Sequence, residues 1–524
     1  MTNEEQRNHT VNKEDGTDVY AIHGAEPEIL AYAMAKYSRS ALTMRESLKE
    51  ISSERAEQFL NTFYFQYGHR SIADLAHIPF AIERLSLLAA IALVDEQRWD
   101  GQERSTRYQD FQRSGWYTPD LGTQTKFYAA AMKASFAGYD EIGRGMLAAL
   151  KGVIARPEEM KADAYERTLK ARAFDVARYL LPLGTNTSLG QIVNARTLET
   201  QVSRLLTSEF AEIRQLGDKL RLAAMEPAWN VHQETAKALL DEMDAAEGMR
   251  HPVLEDLLLR PVKAAPTLVK YALASEYQRE TRLLLAEAAA EVMAGVSILP
   301  APVVDLLDGD EPMDVELVTS LLYGQCHFSY RQIRDVVGDL GEKRRAELIE
   351  YGTRHRGPHD ELLRAFSVGQ GLRFDILMDI GGFRDMHRHR RCTQLLQGFT
   401  DLHGFEVPDA PGQPTLSETG LLVAYESAVQ DAFTAYRTLR DSSVNEAKST
   451  AQYCLPLATR CRSMFKMDFA EALYISELRS GVAGHYSYRR VAWEMYQAVK
   501  RQHPALATLF RTEDVRLPID LLRR

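Results

Sequence analysis

The sequence predicts a helix-rich fold built from two copies of one domain, and three observations point that way. At 524 residues the chain outgrows a single compact core, with room for about three domain lengths. Most of it carries apolar residues at helical spacing. Finally, three motifs recur in the same order. Glu26-Pro27 opens a helix ending near a tyrosine, as Glu311-Pro312 does; Tyr67-Gly68 precedes a His/Arg stretch, as Tyr351-Gly352 does; Leu181-Pro182-Leu183 with Thr185 is answered by Leu455-Pro456-Leu457 with Thr459. The separations are about 275 to 285 residues, and three matches in order argue for duplication.

Composition narrows the class. Hydrophobic content of 45% and charged content of 26% are those of a soluble globular protein. A formal net charge of -10 disfavours a general nucleic-acid or anionic-membrane binder. Cys326, Cys392, Cys454 and Cys461 show no CxxC spacing, so a reducing cytoplasm is expected. The polar N-terminus lacks a signal-peptide core, and the apolar run Leu85 to Val94 is too short to span a membrane.

Residues 1–17 are expected to be disordered, and the elements follow from there. The stretch EPEILAYAMAKYSRS, from Glu26, predicts a helix with a proline at its first turn. A second amphipathic stretch runs from Ala56 to Tyr67 and stops at Gly68. His69 to Val94 reads as one long buried helix. Asp100-Gly101 marks a turn into a short strand on which Glu103, Ser105 and Arg107 alternate and share a face. Pro182 and the turn-prone GTNT break one helix, and NARTLETQVSRLL begins another, carrying Asn194, Arg196 and Arg204. Three prolines within 246–266 mark a connection between a first domain, 18–245, and a second, 267–505. The second has an extra helix near 275–296, and 506–524 is a tail.

The densest charge lies between Asp379 and Phe399. Arg384, His387, Arg388, His389, Arg390 and Arg391 crowd into eight positions beside Gly381 and Gly382. A solvated basic turn is the plain reading. The apolar run FDILMDIGG before it instead places the cluster at the end of a buried segment, where guanidinium groups suit phosphate or carboxylate.

Arg388-His389-Arg390 opens a signature, Arg-His-Arg then seven residues then Ser and on to Arg-Tyr, and here the chain resembles the flavin-dependent thymidylate synthases. Seven residues on stands Gly398, with Thr400 in place of Arg, and Leu395 and Leu396 replace a polar pair. The first half is the converse: Glu103, Ser105, Arg107 and Tyr108 match the end of the signature, while Asp95-Glu96-Gln97 fill the Arg-His-Arg positions. The family builds its sites between subunits, so the resemblance implies one complete composite site and one dead one. Downstream, Arg178, Asn194, Arg196 and Arg204 match family positions in the first half, whereas the second offers Gln452, Asp468 and Ala470 and keeps Arg479.

The resemblance implies an α+β fold of mixed sheet and long helices, present twice. It implies methylation of deoxyuridylate to thymidylate with FAD, and with NADPH and methylene-tetrahydrofolate as co-substrates. A homodimer would reproduce the family's four-domain assembly. Arg204 is expected to polarise the pyrimidine, with Glu103, Ser105, Arg107, Arg178 and Arg388 binding the nucleotide. His69, Asn194, Arg196, Arg388, His389 and Arg390 are expected to hold FAD. Plainer readings stand beside these. Arg178 and Arg204 suit ion-paired helix surfaces, Glu103 and Arg107 a cross-strand pair, and His69 a helix cap. His355 and His359 are spaced like a metal pair, but Gly357-Pro358 breaks any helix between them, so no metal is expected. A diverged flavoenzyme acting on another pyrimidine nucleotide, and a non-catalytic nucleotide or partner binder, remain as alternatives.

Overall fold

The computed structural model describes residue 22 and residues 24–36, 43–50, 70–247, 252–307, 309, 311–357, 360–369 and 371–522. The expectations for residues 1–17, for the helix from Ala56 to Tyr67, and for His69 and His359 lie outside them. The chain forms two compact units, one of residues 1–78, 193–200 and 219–272, the other of 79–192, 201–218 and 273–524.

In the smaller unit the helix Pro27–Lys36 forms as expected, with Glu28 in its first turn. Glu28 is buried and accepts the N–H groups of Thr267 and Leu268 at 2.8 and 2.7 Å. The connecting stretch 246–266 contains a helix of its own, Pro252–Leu259. Its proline opens the helix, where a missing N–H costs nothing. The Asn194 side chain accepts the Thr197 N–H at 2.8 Å, which caps the helix Ala195–Leu206.

The larger unit carries two sheets. In the first, β1 (His77–Ser86), β3 (Asn186–Asn194) and β2 (Asp100–Glu103) lie in the order β1-β3-β2. In the second, β4 (Val304–Leu306), β5 (Leu372–Asp379), β7 (Arg460–Met467) and β6 (Thr393–Leu396) lie in the order β4-β5-β7-β6, antiparallel throughout. The order β5-β7-β6 repeats β1-β3-β2, with β4 added.

Three local expectations change. The run read as one helix from His69 to Val94 is a short turn of helix over Arg70–Leu75, then β1, then the helix Leu87–Val94. Pro79 cannot donate within a helix, Ile78 and Ile82 alternate inward, and Ser86 caps the true helix by accepting the Ala89 N–H. Arg84, at φ 59°, inserts an extra residue so that Leu85 again points inward. The strand expected to carry Glu103, Ser105 and Arg107 ends at Glu103. Ser105 accepts the Arg107 N–H on its own hydroxyl at 3.2 Å and turns the chain. The GTNTSLGQIVN segment, taken as a break between helices, leads into β3.

The two Leu-Pro-Leu segments meet each other. Pro182 faces Pro456 in an antiparallel bridge. Leu183 N–H donates to Leu455 O at 2.8 Å, and Leu457 N–H donates to Leu181 O at 3.0 Å. Gly184 N–H reaches Tyr453 O at 2.9 Å, and Ala458 N–H reaches Tyr179 O at 3.0 Å. Each bond has a mate obtained by exchanging the copies, which is the mark of an approximate two-fold axis. The correspondence extends outward. Leu87 N–H bonds Thr185 O as Ile380 N–H bonds Thr459 O, both at 2.9 Å. This aligns Asp95-Glu96-Gln97 with Arg388-His389-Arg390. Strand register aligns Glu103, opposite Leu189, with Leu396, opposite Ser463. One pair has exchanged roles: Ser86 donates to Glu212 at 2.6 Å, whereas in the second copy Ser487 donates to Asp379.

Candidate functional site

Of the expected site residues, Arg107, Arg178 and Arg388 gather around one carboxylate that the sequence did not single out, Asp385. It lies on the short helix Ile380–Met386, which Asp379 caps by accepting the Gly382 N–H at 2.6 Å. Glycine is required at 382, because a Cβ there would stand 2.5 Å from Ser487 Oγ. The helix thereby sits hard against Tyr486–Gln502 and points Arg384 and Asp385 toward the first copy.

Arg178, from the first copy, is 2% exposed and approaches Asp385 at 3.5 Å, while its Nε has no partner within the protein. Arg107 donates to Asp175 at 2.8 Å and to the Tyr488 hydroxyl at 2.9 Å. Burial alone would raise the Asp385 carboxyl, yet Arg178, Arg107, Arg479 and Arg388 hold it below the usual carboxylate range. Glu103 is ion-paired with Arg384, each about 10% exposed. Counting Arg107, Arg178, Arg384, Arg388 and Arg479 against Glu103, Asp175 and Asp385 leaves an excess of two positive charges. Such a ring is suited to an anion of matching charge.

The Arg-His-Arg side borders this ring. Arg388 is exposed, and Arg390 lies over the Trp99 ring at 4.5 Å with Asp100 at 3.9 Å. His389 is buried and accepts from Arg479 Nε at 2.7 Å. Burial, with Arg479 and Arg390 beside it, pushes the imidazole down to about 3, so His389 is neutral at pH 7. Ser105 stands in the turn before Arg107, half-buried.

Arg204 is placed differently. Its Nε and Nη2 grip Glu96 at 3.0 and 2.8 Å, and Asp95 beside it is ion-paired with Arg364. Arg204 with Glu96 is the two-fold mate of Arg479 with His389. The same arginine thus meets a carboxylate in one copy and a neutral imidazole in the other. Asp95, Glu96, Arg364, His387, His389, Arg390 and Gln394 line a narrow, open cleft, so the Arg-His-Arg side and its mated positions face each other across it. His387 donates or accepts through Nδ1 with Gln394 at 2.7 Å, and Asp95 lies 3.6 Å from its Nε2.

Asn194 and Arg196 belong to the smaller unit, where Arg196 reaches Asp74 at 3.4 Å. The residues around this ring that sequence reasoning missed are Asp385 and Tyr488. Arg479 stood in view as the one retained family position of the second copy, but its importance depends on the exchange of charge at position 96. Among the described residues no group of three or more His, Cys, Asp or Glu is arranged to hold a metal.

Comparison with known proteins bears on this arrangement. A protein from Chlamydia pneumoniae named UPF0159 is 26% identical, covering 95% of this chain and 92% of its own. A UPF0159 protein from Thermoplasma acidophilum is 23% identical over 92% and 94%. A flavin-dependent thymidylate synthase from Clostridium tetani is 28% identical over 37% of this chain and 76% of its own. Among solved structures, the flavin-dependent thymidylate synthase from Helicobacter pylori complexed with FAD and dUMP is 17% identical, covering 38% of this chain and 89% of that one, with a TM-score of 0.23. The family model described as thymidylate synthase complementing protein matches twice, at residues 20–227 and 316–505. The two matches take in most of the sequence and coincide with the copies related by the two-fold axis, so this chain belongs to the thymidylate synthase complementing protein family as an internal duplication.

Proposed function

We propose that the chain is a flavin-dependent enzyme that methylates deoxyuridylate, at one composite site per chain. The observation that carries this reading is the cationic ring around Asp385, drawn from both copies, in a chain of this family. A nucleoside monophosphate dianion matches its excess charge. The relatives from Clostridium tetani and Helicobacter pylori bear thymidylate synthase names, the latter with FAD and dUMP, which supports the substrate and cofactor.

In this reading Arg107, Arg178, Ser105 and Arg388 bind the nucleotide, with Glu103 completing the wall. Arg479 takes the position over the pyrimidine carbonyls first expected of Arg204, since Arg204 is occupied by Glu96. A guanidinium there stabilises negative charge developing on the base and makes carbon 5 nucleophilic. No thiol is exposed to act as a nucleophile: all four cysteines are buried, and burial pushes Cys392 up to about 12.

The residues present fit FAD in kind. Arg390 Nε and His387 Nε2 are buried without a hydrogen-bond partner, Asp95 standing 3.6 Å from the latter, and Arg388 is exposed, so the wall offers donors and positive charge. Arg388, His389 and Arg390 would hold the cofactor, with Asn194, Arg196 and His69 as further family positions. FAD would supply the reducing equivalents drawn from NADPH, and methylene-tetrahydrofolate the one-carbon unit. Two chains would assemble as a homodimer with four copies of the fold.

The test is flavin oxidation by the purified chain with NADPH, deoxyuridylate labelled with tritium at carbon 5, and methylene-tetrahydrofolate. The expected result is nucleotide-dependent flavin turnover, tritium release and thymidylate. Failure to take up FAD or to bind deoxyuridylate would overturn the reading. Tritium release without thymidylate would favour a different carbon donor, which the apolar Leu395 and Leu396 in the second copy make the second reading.

A further inference from the structure

The short segment from Glu103 to Arg107 supplies the first copy's share of the ring, and both of its ends are gripped by the second copy. At one end Glu103 is ion-paired with Arg384, which lies on the helix carrying Asp385. At the other end Arg107 Nη1 donates to the Tyr488 hydroxyl at 2.9 Å, and Nη2 reaches the carbonyl of Ala483 at 3.3 Å. The Tyr488 ring also lies 5.8 Å from the Arg107 guanidinium and 5.5 Å from that of Arg479. Tyr488 therefore touches one arginine from each copy and is itself 5% exposed.

The two-fold axis supplies an internal control. The position matching Arg384 is Ile91, and the position matching Glu103 is Leu396. The exchanged pair Ser86–Glu212 and Asp379–Ser487 aligns Glu212 with Ser487, which places Ile213 opposite Tyr488. At the mate of the live site, both polar grips are thus replaced by aliphatic side chains. An ion pair a tenth exposed on each side is costly to keep unless its geometry is used, and Arg384 Nε is buried without a partner within the protein.

We propose that Arg384 and Tyr488 are positioning residues that pin the Glu103–Arg107 segment into the composite site, setting nucleotide affinity. Arg384 acts through Glu103, and Tyr488 acts through Arg107 and Arg479. This rests on the nucleotide reading above. With the segment held, Arg107 is presented in its binding position before the ligand arrives, so the cost of ordering it is met in advance. Without the pins the ligand itself must order the segment.

The experiment is calorimetric titration of the FAD-loaded full chain with deoxyuridylate, using Tyr488→Phe, Arg384→Gln, Glu103→Gln and the Arg384→Gln/Glu103→Gln double variant. Tyr488→Phe keeps the ring and loses only the hydroxyl, so its unfolding temperature and flavin spectrum should match wild type while nucleotide affinity falls about fivefold, the scale of one hydrogen bond. Arg384→Gln and Glu103→Gln should each weaken binding about tenfold, and the double variant no more than the weaker single, because paired residues are non-additive. In turnover the losses should fall on KM rather than kcat. Wild-type binding with unchanged affinity in Tyr488→Phe and Arg384→Gln, or strictly additive losses in the double variant, would overturn the pinning while leaving the nucleotide reading intact. Absence of deoxyuridylate binding by wild type itself would overturn both.

Discussion

Arg204 and Arg479 occupy mated positions yet face opposite chemistry. Arg204 meets a carboxylate on Glu96, whereas Arg479 meets the neutral ring of His389. Arg479→Ala is expected to weaken deoxyuridylate binding by about 100-fold, roughly the worth of a charge-assisted hydrogen bond. Arg204→Ala should leave binding within a factor of three and lower stability instead, by about 1 to 3 kcal/mol for a partly buried pair broken on one side. Calorimetry with the nucleotide and denaturant melts of both variants check this; equal binding losses would contradict it. His389 adds a pH signature. Its imidazole is held down to about 3 against an ordinary 6.5, so the unfolded chain takes up a proton that the folded chain refuses. Stability is therefore lost as pH falls below 6.5 toward 3, at up to about 1.4 kcal/mol per unit for this group. In urea melts without added ligand, His389→Gln should show a shallower decline between pH 7 and pH 5 than wild type; identical slopes would count against a buried neutral histidine.

The elements that hold these residues depend on the meeting of the two Leu-Pro-Leu segments. Gly184 is pressed there between the Tyr128 hydroxyl and the carbonyl of Tyr453, 2.7 and 3.3 Å from where a Cβ would lie. Gly184→Ala should destabilise the chain by about 1 to 3 kcal/mol through overpacking, read as a lower denaturation midpoint with an unchanged slope. A neutral substitution would mean the contact is not tight. At this scale the sequence was partly legible. The helices Pro27–Lys36 and Glu276–Val292 follow from periodicity and caps, since Pro27 opens one and Ser275 caps the other. β1 was hidden because a run rich in Ile, Leu and Ala fits a buried helix as well as a strand, and only Pro79 and Ser86 argue otherwise. The turn at Ser105 was hidden because alternation survives in the letters after the strand has ended. Asp385 and Tyr488 escaped notice for a further reason: each meets an arginine from the other copy, Arg178 and Arg107, and no local pattern records that.

For the whole molecule, duplication lets the copies diverge in complementary ways. One copy keeps Glu103, Ser105, Arg107 and Arg178; the other keeps Arg388, His389, Arg390 and Arg479. The mated positions carry Asp95 and Glu96, which are ion-paired with Arg364 and Arg204. On the proposed reading, the two copies share one binding site per chain. The order β5-β7-β6 repeating β1-β3-β2, and the doubled hydrogen bonds about Pro182 and Pro456, show that the scaffold persisted while the charges changed. The measurement that tests this most directly is the stoichiometry of deoxyuridylate binding to the FAD-loaded chain, with Arg107→Ala and Arg388→Ala alongside. One nucleotide per chain, lost in either variant although the two residues come from different copies, is the expected result. Two nucleotides per chain, or binding that survives removal of one copy's arginine, would contradict the composite site.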